Sequence, residues 1–294
     1  MNQSKDAKGK ILVPVDYSDC SRFACRYAIK LACKLEAGIK LFHTYYSPAF
    51  DLIELAGAVQ TQSQLRDEVT INLEETEKET LESFRKSLDE YVEDCNLPEV
   101  NITYDIAPGV PEDEIIHYSE TYNPDLVVMG TKGKGTGVGS IIGSVTAAVI
   151  NRISYPVLAI PEKYKFVGEG NIRNIMYVTD FDETDFQTLK RLIDITERLN
   201  LDIHCVHIGD PDSWDRVKME GLMKYFHEVY SKNATYSFVS QKNLLDDLDQ
   251  LIRDKNISIL SLTAKRQKIF EKLFKKNIAK TLFYHTSIPL LVFH

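Results

Sequence analysis

Six glycines fall within the sixteen residues Met129–Ser144, MGTKGKGTGVGSIIGS, directly after the apolar run Leu126–Met129. Glycine lets a backbone take positive φ and pass close to a bound group. An apolar pattern follows, and it predicts a helix over Ile141–Ile153, with a start near Ser140. The first amides of such a helix have no intrahelical partner and carry partial positive charge. A glycine loop feeding a helix N-terminus is therefore a candidate phosphate site. Ser140 and Ser144 can add hydroxyl donors, and Lys132 and Lys134 can add charge. The alternative on these residues alone is a glycine-rich surface loop. G-x-x-x-x-G-K-[ST] is absent, and so is a strict G-x-G-x-x-G, although Gly133, Gly135, Gly137 and Gly139 alternate.

Other chemistry is sparse. Asp16 closes the apolar run ILVPVD, and His43 stands at the end of LFH. There is no Ser-His-Asp set with supporting context, no zinc-type cluster and no H-E-x-x-H, so no catalytic residue and no metal ligand is assigned. The five cysteines, Cys20, Cys25, Cys33, Cys95 and Cys205, form no C-x-x-C pair. They read as free thiols, which suits a reducing compartment and makes the cytoplasm the expected location. A net charge of −8 disfavours non-specific binding to nucleic acid or to an anionic membrane. No apolar run approaches the roughly 20 residues that a membrane span needs.

The elements that must position the loop come twice. ILVPVD at Ile11–Asp16 returns as IMYVTD at Ile175–Asp180, an offset of 164, and His43 pairs with His207 at that offset. Nearer the ends, DLVVMG (Asp125–Gly130) matches SILSLT (Ser258–Thr263) at an offset of 133. YPVLAI (Tyr155–Ile160) matches IPLLVF (Ile288–Phe293) at the same offset. The second copy thus lacks 31 residues from its middle, within the counterpart of Ser47–Leu97. In each copy apolar strand runs alternate with helical patterns, which argues for parallel sheets covered on both faces. The expected fold is α/β, with two tandem Rossmann-like domains. Each is a five-stranded, mainly parallel sheet with helices on both faces. Residues 1–10 read as a disordered tail, 11–162 as the first domain and 171–294 as the second, with PEKYKFVGEGN (Pro161–Asn171) between them.

Gly130-x2-Gly133-x9-Gly143-Ser144 is similar to the ATP-binding signature of the universal stress protein family. The ILVPVD and LFH strands resemble that family too, and the resemblance covers nearly the whole chain. It implies an adenine nucleotide alpha hydrolase-like fold, a role in stress response, and ATP, with or without Mg²⁺, as the ligand. Carried over position by position, it implies that Asp16 contacts the adenosine part and that the Thr44 backbone meets the adenine. Met129 would line the ribose and base side, and Gly130 and Gly133 would approach the ribose and phosphates. Gly143, Ser144 and Val145 would form the second half of the phosphate cradle. Thr44 departs from the small aliphatic residue usual there, a change a backbone contact survives. The resemblance also implies pairing of the final strands, Val157–Ile160 with Pro289–Phe293. The two copies would then form a pseudo-dimer, and two chains could associate as a homodimer.

The second copy has lost the signature. Gly130, Gly133, Gly143 and Ser144 map to Thr263, Arg266, Lys276 and Asn277, and Ala264–Lys276 reads as a basic amphipathic helix. Side chains there obstruct close phosphate approach, so the first copy alone is expected to hold nucleotide. The expected function is an ATP-binding regulatory protein. Two alternatives stand beside it: a slow ATPase or phosphoryl-transfer enzyme, and a scaffold that uses the fold without nucleotide.

Overall fold

The structure, a computed structural model, describes residues 8–46, 63–132, 143–162, 172–179, 181, 183–209, 213–230, 234–240, 242–263 and 288–294. The first half runs β1 (Gly9–Val15), α1 (Asp19–Leu35), β2 (Ala37–Tyr45), α2 (Ser63–Asp94), β3 (Ile102–Pro108), α3 (Pro111–Tyr122), β4 (Leu126–Gly130), α4 (Ser144–Arg152) and β5 (Val157–Ile160). The second runs β6 (Asn174–Val178), α5 (Glu183–Leu199), β7 (Asp202–Ile208), α6 (Ser213–Tyr230), β8 (Thr235–Val239), α7 (Leu244–Asp254), β9 (Ile257–Thr263) and β10 (Leu290–Phe293).

These strands form one sheet in the order β3-β2-β1-β4-β5-β10-β9-β6-β7-β8. Within each half all pairs are parallel, and the order is the same when read inward from either edge. The halves join where β10 runs antiparallel to β5, with Leu291 opposite Leu158. That junction is the expected pairing of final strands, and it places a pseudo-two-fold axis through the middle of the sheet. The near-continuous apolar runs follow from burial on both faces. Val13 and Val128 pack with Tyr27 and Leu31 of α1 on one face. Leu12 and Val127 pack with Val149 and Ile150 of α4 on the other.

Helix boundaries follow local chemistry. Ser18 caps α1 by accepting a bond from the Ser21 amide, and Glu36 ends that helix in the left-handed region. Pro111 opens α3, where its missing N–H costs nothing. The 31-residue difference lies mainly between the second and third strands of each half, where α2 has 32 residues and α6 has 18.

Two expectations are corrected. Gly9 and Lys10 belong to β1 rather than to a tail. They pair with Ala37 and Gly38, and the Lys10 amide donates to Asp125 at 2.8 Å. Helix α4 starts at Ser144 rather than near Ser140. Gly143 is extended, with φ −67° and ψ 157°, because its amide is tied back to Thr131. The basic segment 264–276 lies outside the described residues, as do Gly133, Lys134 and Ser140.

Candidate functional site

A crevice opens where adjacent parallel strands send their helices to opposite faces of the sheet, and ligands of such sheets bind there. In the first half β1 and β4 are those strands, joined by the rungs Ile11–Leu126 and Leu12–Val127. Asp16 follows β1 and Gly130 ends β4, so topology brings two sequence-distant site residues to one crevice.

Gly130 is required on steric grounds. A Cβ there would stand 2.8 Å from Cys20 Sγ and 3.0 Å from the Cys20 carbonyl carbon and oxygen. The Cys20 thiol donates to the Ile160 carbonyl at 3.6 Å, which fixes the start of α1 over the ends of β4 and β5. Burial pushes that thiol's pKa up, so it stays protonated. Backbone opposes the missing Cβ, and backbone cannot rotate away as a flexible side chain would.

Both feet of the glycine loop are held. The Gly143 amide donates to the Thr131 carbonyl at 2.6 Å, and the Thr131 amide donates to the Ile160 carbonyl at 2.9 Å. Thr146 Oγ1 donates to the Gly130 carbonyl at 2.8 Å. Thr131 and Thr146 are both buried. The strand end and the helix start are thereby locked together, whatever path the chain takes between them. Gly143 supplies no side-chain cap to α4, so the first-turn amides keep their capacity for an outside acceptor. Ser144, the first residue of α4, is exposed.

The remaining predicted residues are placed less uniformly. Asp16 Oδ1 accepts from the Ser18 amide at 3.1 Å and from its hydroxyl at 2.6 Å, so it shapes the turn into α1. Thr44 lies in β2, one step past the last rung to β1, which pairs Val15 with His43. The Tyr45 carbonyl accepts from the Gly109 amide, on the β3 side. By strand alternation the Thr44 carbonyl then faces the β1 side, toward the crevice. Met129 is buried in the core against the α4 face, which leaves its backbone to line the crevice. Val145 is half-buried and packs on the same core. Lys132 Nζ is held by Glu162 at 2.7 Å, so its charge is shared rather than offered whole to a ligand. These features fit a phosphate held by amides and hydroxyls.

The second half carries a buried polar network at the equivalent strand ends. Thr263 stands where Gly130 does, and its Oγ1 lies 2.8 Å from the Tyr177 hydroxyl and 3.0 Å from Thr188 Oγ1. Tyr177 donates to one oxygen of Asp185 and Thr179 to the other, each at 2.7 Å. Asp185 lies in the first turn of α5, is only 4% exposed, and accepts from both hydroxyls. Burial, and then Asp185, drive the Tyr177 pKa upward, keeping that phenol a donor.

Both halves keep one constellation. His43 Nδ1 donates to the Val15 carbonyl at 2.7 Å, and His207 Nδ1 to that of Thr179 at 2.9 Å. Each histidine packs on an aromatic ring with left-handed backbone, Tyr17 at 4.5 Å and Phe181 at 4.6 Å. Each also faces a carboxylate, Glu77 at 3.4 Å and Asp215 at 3.7 Å. Sequence reasoning missed Tyr17, Glu77, Thr131, Thr146 and Cys20. Thr146 had a readable signal, as a hydroxyl three residues past a signature glycine. The contact of Cys20 with Gly130 joins positions 110 apart and has no local signal.

Among the described residues, no group of three or more His, Cys, Asp or Glu could hold a metal ion, and no helix is long and apolar enough to cross a membrane.

Comparison with known proteins agrees with this geometry. Residues 8–161 match the profile of the Universal stress protein family. Universal stress protein MJ0531 of Methanocaldococcus jannaschii is 32% identical over 157 residues, covering 53% of this chain and 84% of that protein. Universal stress protein YxiE of Bacillus subtilis is 28% identical over 151 residues, covering 51% of this chain and 97% of that one. The crystal structure of a universal stress protein from Archaeoglobus fulgidus superposes with a TM-score of 0.68. It covers 97% of both chains at 14% identity, a likeness of fold that spans both halves.

Proposed function

The chain belongs to the universal stress protein family, and from that membership we propose that it is an ATP-binding regulatory protein. Residues 11–162 form the domain that holds the nucleotide, and residues 171–294 form a degenerate partner domain. The observation that carries this reading is the pinned loop: Thr131 and Thr146 fix the end of β4 against the uncapped first turn of α4. Phosphates bind that turn with Gly130, Gly133, Gly143, Ser144 and Val145 around them. The adenosine part lies toward Asp16, the Thr44 carbonyl and the Met129 backbone. Mg²⁺, if carried in with the phosphates, reaches Asp16 through water. Titration calorimetry with MgATP tests the reading: heat that saturates supports it. No heat and no thermal shift at millimolar nucleotide overturns it.

One observation favours a second reading, the scaffold. Gly130 is demanded by Cys20 even without a ligand. A protein that binds no nucleotide but loses stability on Gly130→Ala would fit that reading and not the first.

A further inference from the structure

A cavity of about 460 Å³ lies between the two domains, well away from the glycine loop. It is within the size range of small-molecule sites, which favour domain interfaces. Its floor obeys the pseudo-two-fold axis. Leu31 and Leu35 of α1 line it together with their counterparts Ile195 and Leu199 of α5, and Leu158 of β5 with its partner Leu291 of β10. Tandem duplication therefore created a pocket that neither domain has alone.

Its rim breaks the symmetry. Arg191, Asp194 and Arg198 of α5 line it, at spacings that place them on one helix face. Their counterparts in α1 are Tyr27, Lys30 and Lys34. On the first-domain side the charges are engaged. Lys10 donates to the Tyr122 carbonyl at 3.3 Å and lies over its ring, and Asp125 accepts from the Lys10 amide. Arg191 donates to the His294 carbonyl at 3.4 Å. Arg198 has no ion-pair partner among the described residues. Two guanidiniums against one carboxylate leave the α5 rim net positive. The C-terminal carbonyls of α1 and α5 oppose an anion here, which makes Arg198 the group on which binding depends.

We propose that this axial cavity binds a small amphipathic carboxylate, an acyl or aryl acid. Its apolar body would lie on the leucine floor and its carboxylate would take the planar fork of Arg198. The fork matches a carboxylate bidentately, and burial of the apolar body supplies the rest of the affinity. Such a ligand would bridge the two domains and stiffen their junction.

The test is thermal unfolding of the full chain with sodium octanoate, against 1-octanol as the uncharged analogue. Octanoate is expected to raise Tm by about 2 °C or more, and octanol by less than half as much. Arg198→Glu, at an exposed position, is expected to abolish the octanoate shift, as is Ile195→Trp, which fills the cavity. The proposal is overturned by no shift with octanoate, by an equal shift with octanol, or by a shift that Arg198→Glu retains. If Ile195→Trp does not fold, Arg198→Glu alone decides.

Discussion

Gly130 and Thr263 end equivalent strands of one sheet, and the two halves diverge at that point. Around Gly130 the Cβ that Thr263 carries is missing, and the start of α1 sits close. Around Thr263 a hydroxyl joins Tyr177, Thr179, Asp185 and Thr188 in a closed network. The histidine, its aromatic neighbour and its carboxylate recur in both halves at similar distances. A feature kept where the glycines are lost belongs to the fold; a feature lost with them belongs to the ligand site. On the reading proposed above His43 serves the fold, and Gly130 serves the nucleotide as well as the close approach of Cys20.

The comparison can be broken from either side. Removing the carboxylate by Asp185→Ala takes a shared acceptor from two buried hydroxyls, and is expected to cost about 3 kcal/mol in urea unfolding. ATP affinity should stay unchanged, and a parallel loss of affinity would mean the halves are not separable in this way. Next in size is Gly130→Ala. The added Cβ forces the Cys20 backbone to move, at about 1–3 kcal/mol, and ATP binding should fall at least tenfold. Thr263→Gly, the reverse change, should not create a second ATP site, because the other signature positions are Arg266, Lys276 and Asn277. Thr146→Val keeps the shape and deletes the bond to the Gly130 carbonyl. Its expected cost is about 1 kcal/mol, with ATP affinity reduced several-fold as the loop's foot loosens.

The smallest effect at neutral pH is an acid sensitivity confined to the second half. His204 lies between Thr235 and Ser237, and burial, with help from Lys255, holds its pKa down to about 4. The folded state therefore favours the neutral ring. Its contribution is full above the ordinary value near 6.5 and is lost as pH falls toward 4, because the unfolded chain takes up the proton first. The first half has Lys40 at this place, paired with Asp105 at 3.0 Å. His204→Gln should flatten the slope of stability against pH in that window, while Lys40→Gln should not.

Much of the architecture was legible because its signals are local or repeated. Ile11–Asp16 and Ile175–Asp180 announce the duplication, and runs such as Leu126–Met129 announce buried parallel strands. The spacing from Gly130 to Gly143 and Ser144 marked the loop. The start of α4 was misread because the apolar pattern continues back through Ile141 and Ile142, while the deciding bond, Gly143 to Thr131, joins residues across a loop. Cys20 beneath Gly130, the clamp from Thr146, and the network around Asp185 are likewise contacts between elements. Hydrophobic period carries no trace of them. The axial cavity is less legible still, since it needs both helices and the antiparallel junction at once.

On the reading proposed above, one half of the duplicated chain holds nucleotide and the other, without the signature glycines, does not. Native mass spectrometry of the intact chain titrated with MgATP tests it most directly. Saturation at one nucleotide per chain is the expected result; two per chain, or none at millimolar ATP, would contradict it.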